Sequence, residues 1–126
     1  MNTWPKRPKL SDSELEIMKV IWAAGGLVTT AFLLKEFSES HRWKSQTINT
    51  FLTRLVDKGM LRVERKGVAN WYTAVVSDNE YLGGETRAFL DEFHHGSVSS
   101  FIAALDGSER LSDDDISALK KWLAER

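Results

Sequence analysis

At Gly59 the spacing of apolar residues in this 126-residue chain changes. Before it, apolar positions recur every three to four residues, as on the buried face of a helix. After it, Leu61-Arg62-Val63-Glu64-Arg65 alternates apolar with polar, as a strand with one wet face does. By residue 79 the helical spacing has returned. One short strand pair is too little for a sandwich, a barrel or a doubly wound sheet. The order predicted is helices, one hairpin, then more helices.

The helix limits are marked in the sequence. Ser11-Asp12-Ser13-Glu14 is a capping box, and Leu15, Met18, Ile21 and Trp22 follow at helical spacing. Gly25-Gly26 ends this first helix. A second starts near Thr29 or Thr30, with Phe32, Leu33, Leu34 and Phe37 on its apolar side. Ser38 to Arg42 is a polar connection. A third runs from Ser45, read as its N-cap, to Lys58, with Gly59 as its stop. Residues 61–65 and 71–76 are predicted as two strands of a hairpin, with 66–70 as the turn. Residues 79–126 hold one amphipathic segment interrupted at Gly83-Gly84, a second with Val98, Phe101, Ile102 and Leu105, and a last one capped by Ser112.

Charge narrows the partner. The whole chain carries a formal net charge of −1, but the charge is not evenly spread. Residues 41–75 hold seven basic side chains (Arg42, Lys44, Arg54, Lys58, Arg62, Arg65, Lys66) against two acidic ones (Asp57, Glu64), net +5. Residues 76–126 hold five basic and eleven acidic, net −6. A basic block beside an acidic one points to a polyanion partner for the first.

Projected at about 100° per residue, Ile48, Phe51, Leu52 and Leu55 of the third helix fall on one side. Gln46, Thr50 and Thr53 point nearly opposite, flanked by Thr47, Asn49 and Arg54. Amide, hydroxyl and guanidinium groups on one outward face suit the edges of bases in a major groove. Any amphipathic helix also shows polar residues outward, so the helix alone does not decide. The hairpin adds weight, because its turn carries Arg65 and Lys66 beside Gly67 and can lie on phosphates. The fold class read from these features is mainly α with a small β-hairpin wing, a winged helix-turn-helix followed by a C-terminal helical region. Residues 1–10 read as a flexible basic arm with Lys6, Arg7 and Lys9, 11–77 as the DNA-binding domain and 78–126 as the helical region. Trp43 is read as a staple between the second and third helices, and Trp22 and Trp71 as core.

Other chemistry has little support. The chain has no cysteine, which excludes disulfides, thiolate metal sites and a cysteine nucleophile. His94-His95 are adjacent on a helix and diverge by about 100°, so they are read as surface residues and not as a metal pair. Asp113-Asp114-Asp115 suits the positive end of a helix dipole. No catalytic residues, cofactor or metal are expected. No stretch reaches the ~18 apolar residues that cross a bilayer, and the basic start lacks an apolar signal region. A cytoplasmic protein without direct membrane binding is expected. Residues 78–126 carry Leu82, Phe89, Leu90, Phe93, Phe101, Ile102, Leu105, Leu119, Trp122 and Leu123. These either pack on the first domain or pair with a second copy.

Three stretches resemble a known family. Leu10-Ser11-Asp12-Ser13-Glu14-Leu15-Glu16-Ile17-Met18-Lys19-Val20-Ile21-Trp22 is similar to the opening helix of the penicillinase and methicillin-resistance repressors. Trp43-Lys44-Ser45-Gln46-Thr47-Ile48-Asn49-Thr50, with Leu52-Thr53-Arg54-Leu55 and Lys58-Gly59, is similar to their recognition helix, and residues 61–75 to their wing. The resemblance implies a homodimeric repressor on a palindromic operator of double-stranded DNA. Lys44, Ser45, Gln46, Thr47, Asn49, Thr50, Thr53, Arg54, Arg65 and Lys66 would meet the DNA. The ten apolar residues of 78–126 would form the dimer.

It also implies a membrane sensor-protease that responds to β-lactam and cuts the dimerisation region. The staphylococcal-type cut lies between Asn and Phe, where this chain has Ala104 and Leu105, so the signal stays open between a β-lactam and another inducer. The cysteine cluster of the copper-responsive branch is absent from this sequence. Asn49 stands where Gln or Arg is usual, which implies a different operator. The alternative reading is a winged-helix module that binds protein.

Overall fold

A computed structural model describes residues 8–126 of the chain. Lys6 and Arg7 of the expected basic arm lie outside the described residues. Within it, Lys9 is exposed and Leu10 packs against the core.

The chain divides into two compact units, one ending at Gly84 and one spanning Glu85–Arg126. In the first, α1 covers Asp12–Ala23, β1 Leu27–Thr29, α2 Thr30–Ser40, α3 Ser45–Asp57, β2 Leu61–Lys66 and β3 Ala69–Ala74. Helix α4, Asp78–His94, begins in this unit and ends in the other.

The caps follow the sequence closely. The Ser11 hydroxyl accepts from the Glu14 N–H, and Glu14 Oε1 accepts from the Ser11 N–H at 2.8 Å. Gly25 and Gly26 follow α1 at φ 94° and 91°, a region that favours glycine. The Thr29 side chain caps α2 at the Phe32 N–H. One expectation changes here. Ser45 is the first residue of α3 and not its cap; Lys44 holds that place, with no side-chain hydrogen bond. The first helical N–H groups of α3 therefore have no capping side chain.

The sheet has three strands in the order β1-β3-β2, all antiparallel. Only a hairpin was expected. Leu27-Val28-Thr29 is too short to show alternation, and it becomes a strand because β3 supplies its partners: Leu27 faces Thr73, Val28 faces Tyr72 and Thr29 faces Trp71. The hairpin strands also run closer to the tip than predicted, to Lys66 and from Ala69. Only Gly67 and Val68 remain as the turn, with Gly67 at φ 65°.

The core of this unit is formed by all three helices and the sheet. Ile17, Met18 and Ile21 come from α1, Leu33 and Phe37 from α2, and Ile48, Leu52 and Leu55 from α3. Val28, Met60, Leu61, Tyr72, Val76 and Tyr81 complete it. Trp22 packs against this core, with its indole N–H donating to the Val76 carbonyl at 2.9 Å. Trp71 does not join the core; it is half-buried under Lys66, whose Nζ sits 5.9 Å from the ring centroid.

The Glu85–Arg126 unit contains the end of α4, α5 (Val98–Gly107) and α6 (Asp113–Ala124). Gly83-Gly84 does not interrupt α4, which is one continuous helix. Two glycines cost helix propensity, but Ser77 and Glu80 form a capping box that secures the start. Ser97 caps α5, and Ser112 with Asp115 forms a capping box on α6. The Ser112 N–H and hydroxyl hold the Asp115 carboxyl below the usual carboxylate range. No residue of this unit is buried. Phe89 and Phe93 lie 4.8 Å apart between ring centroids. An open apolar groove of about 620 Å³ is lined by Val98, Ile102, Leu111, Ile116, Leu119 and Leu123.

Candidate nucleic-acid interface

The third helix carries the candidate interface, and its inner face fixes the outer one. Ile48, Leu52 and Leu55 are fully buried, so rotation of α3 about its axis would expose them to water. Lys44, Ser45, Gln46, Asn49, Thr50, Thr53 and Arg54 are then exposed, and Thr47 is half-buried. Arg65 and Lys66 are exposed at the end of β2, beside the tip residue Val68, which is 94% exposed.

The turn into α3 is held by aromatic packing. Trp43 stacks on Phe37 at 4.8 Å and meets Phe51 at 5.1 Å. It is thus a staple between α2 and α3, as the sequence predicts. His41 packs on the same indole at 4.7 Å. Its Nε2 lies 2.9 Å from Glu16 Oε2 and its Nδ1 2.7 Å from Ser40 Oγ. Hydroxyl, imidazole and carboxylate in a row resemble a hydrolase triad, but the Ser40 hydroxyl also donates to the Glu36 carbonyl at 3.3 Å. The row ties the end of α2 to α1.

Hydrogen bonds within the helix decide what the outer face offers. The Thr50 hydroxyl donates to the Gln46 carbonyl at 3.0 Å, and the Thr53 hydroxyl to the Asn49 carbonyl at 2.9 Å. Each bond spends the hydroxyl proton and locks the rotamer. Both threonines therefore turn methyl groups and oxygen lone pairs outward. The Thr30 hydroxyl donates to Asn49 Oδ1 at 3.3 Å. Nothing in the local spacing of Thr30 connects it to a residue nineteen positions away.

Basic groups surround the start of α3. A groove of about 640 Å³ is bordered by Lys35, Arg42, Trp43 and Lys44 together with Ala31 and Leu34. Lys35 was not among the expected contacts. It borders the same groove because α2 carries it there. A phosphate placed at this groove would meet cationic side chains and the uncapped N–H groups of α3.

Not every basic residue of the 41–75 block faces outward. Lys58 Nζ lies 2.6 Å from Glu14 Oε1 and 2.7 Å from the Lys9 carbonyl. Glu14 is 1% exposed. Burial alone would raise its carboxyl, but the Lys58 ammonium and the Ser11 N–H outweigh that and hold it below the usual range. Lys66 Nζ is 3.4 Å from Glu64 Oε1.

The arrangement of helices and wing is similar to that of known proteins. The sequence profile of the penicillinase repressor family matches residues 10–125. The chain belongs to the penicillinase repressor family. The penicillinase repressor of Bacillus licheniformis is 34% identical over 120 residues, covering 95% of this chain and 93% of that protein. The methicillin resistance regulatory protein MecI of Mammaliicoccus sciuri is 25% identical over 118 residues, covering 94% and 95%. Among solved structures, the DNA-binding domain of the repressor BlaI is similar with a TM-score of 0.54 at 38% identity, over 62% of this chain and 94% of that one. The Bacillus licheniformis BlaI monomeric form, solved in complex with the blaP half-operator, gives 0.51 at 39% identity, over 60% and 92%. The winged-helix architecture of the penicillinase repressor family is therefore the architecture of this chain's first unit.

The remaining expected residues fall as follows. Leu82, Phe89, Phe93, Leu119, Trp122 and Leu123 are exposed, and Leu90, Phe101, Ile102 and Leu105 are half-buried. Ala104 and Leu105 lie inside α5. His94 Nδ1 is 2.8 Å from Ser100 Oγ, and His95 is exposed at φ 51°. Among the described residues no group of His, Asp and Glu is placed to hold a metal ion. No helix among them is long and apolar enough to cross a membrane.

Proposed function

We propose that this chain is a transcriptional repressor that binds operator DNA in the major groove through α3, with the β2–β3 wing on the phosphate backbone. The observation that carries the reading is the outer face of α3. Gln46, Asn49, Thr50, Thr53 and Arg54 are exposed together on a helix whose opposite face is locked in the core. The Bacillus licheniformis BlaI monomeric form is solved in complex with the blaP half-operator, which supports DNA as the partner. The partner is double-stranded DNA, so the protein works in the cytoplasm. Gel-shift titration of Asn49→Ala and Thr50→Ala on specific and scrambled duplexes tests it. Specific binding falls and non-specific binding stays; equal loss on both duplexes contradicts the assignment of α3.

The active form is a homodimer joined through residues 78–126. Phe93 and Trp122 are 60% and 53% exposed, and none of the apolar side chains of the Glu85–Arg126 unit is fully buried. Apolar surface of that extent supports a protein partner, and a second copy gives the two-fold symmetry of a palindrome. The acidic charge of this region suits a place away from the phosphates. Release follows proteolysis within the same region by a membrane sensor-protease, with Ala104-Leu105 as the candidate bond. Its position within α5 requires the helix to open first, since a helical peptide cannot take the extended form a protease grips. A signal other than β-lactam is the second reading, favoured by Ala104 and Leu105 standing where the staphylococcal-type cut has Asn and Phe.

A further inference from the structure

Asn49 does not stand alone on the reading face. Its side-chain oxygen is held by Thr30 at 3.3 Å, across the contact between α2 and α3. Both ends of that bond are fixed by the fold. Thr30 opens α2 directly after the Thr29 cap, and Thr29 is paired with Trp71 in the sheet. Asn49 follows Ile48, which is fully buried, and its carbonyl receives the Thr53 hydroxyl. A hydroxyl donor on Oδ1 selects one of the two faces of the carboxamide. Nδ2 is then turned away from Thr30, and it donates to none of the described residues.

We infer that Thr30 is a positioning residue that turns the Asn49 amide so that its N–H donors meet the DNA, making Asn49 a reader of keto bases. This rests on the proposed docking of α3 in the major groove. An asparagine that reads adenine uses its oxygen and its nitrogen together, accepting from N6 and donating to N7. With Oδ1 engaged by Thr30, the donors dominate. Guanine offers O6 and N7, and thymine offers O4, as acceptors in the major groove; adenine and cytosine each place an amino group there. The neighbouring threonines strengthen the bias. Thr50 and Thr53 have spent their hydroxyl protons on the backbone and turn out methyl groups, which suit the thymine methyl.

The test uses the full chain and an operator duplex selected from a random pool. Affinity is measured for all four base pairs at every position. The position that loses its preference in Asn49→Ala is the one Asn49 reads. The wild type there prefers guanine or thymine over the amino bases by about tenfold. Thr30→Val lowers that preference at least about threefold and raises acceptance of adenine, with unchanged affinity for a scrambled duplex. Thr30→Ser, which keeps the hydroxyl, keeps the wild-type profile. Should Thr30→Val fail to fold, Thr30→Ala gives the same readout from a residue that suits the start of a helix.

A wild-type base profile in Thr30→Val, or in Thr30→Ala, overturns the inference. So does a wild-type preference for adenine at the Asn49 position. If the wild type selects no sequence at all, the repressor reading fails with it. If it selects a site that Asn49→Ala alters and Thr30→Val does not, only this inference fails.

Discussion

Lys58, at the end of α3, reaches Glu14 on α1, with its Nζ 2.6 Å from Oε1. The carboxylate is buried and the ammonium is partly open to water. The pair joins α3 to α1 and neutralises one cation of the basic 41–75 block. Removing one partner leaves a charge uncompensated. Lys58→Met should lower stability by about 2 kcal/mol, below the full cost of breaking a buried pair because Lys58 is a third exposed. The same variant should bind non-specific DNA with an unchanged salt slope. Urea melts and salt titrations check the two parts.

Glu14 also gives the fold a pH dependence. Its carboxyl is held low in the folded state, and unfolding returns it to the ordinary value. Between the two values the unfolded chain binds more protons than the folded one. The stability that Glu14 contributes is therefore full above the ordinary carboxylate range and is lost as pH falls through the lowered native value. Urea melts at about pH 7 and about pH 3 should show a smaller acid loss for Glu14→Gln than for the wild type.

The wing should contribute affinity more than specificity. Arg65→Ala should weaken specific and scrambled duplexes together and shallow the salt slope by about one. Lys66→Ala should act in the same direction, tempered by the Glu64 carboxylate 3.4 Å away. Glu64→Ala should strengthen binding. Affinities measured across a series of salt concentrations give all three.

Self-association should depend on the exposed aromatic residues of residues 78–126. Phe93→Glu and Trp122→Glu should shift sedimentation at micromolar concentration from dimer to monomer, with the melting of the first unit unchanged. A wild type that sediments as a monomer at that concentration would remove the two-half-site account.

Much of this was legible in the sequence because the signals were local. The capping boxes at Ser11 and Ser112 need only a residue and its neighbour three places on, and both are present. The inner face of α3 follows from its period alone, so the outer face does too. What was not legible depends on residues far apart in the chain. Strand β1 exists because Tyr72 and its neighbours pair with it. Lys58 counts toward the net +5 of residues 41–75 until Glu14, forty-four residues away, is seen to hold it. Thr30 and Lys35 come beside α3 only through the packing of α2 on it. Gly83-Gly84 reads as a break, yet the helix continues because its start is capped at Ser77.

Selection of a random duplex pool by the purified full chain shows whether the protein reads sequence as a two-fold dimer. An inverted repeat whose half-sites lie about one helical turn apart, roughly 34 Å, should be enriched, and the enrichment should be lost in the Asn49→Ala, Thr50→Ala double variant. A pool that stays random at physiological salt, or an enriched site that the double variant selects equally well, would contradict it.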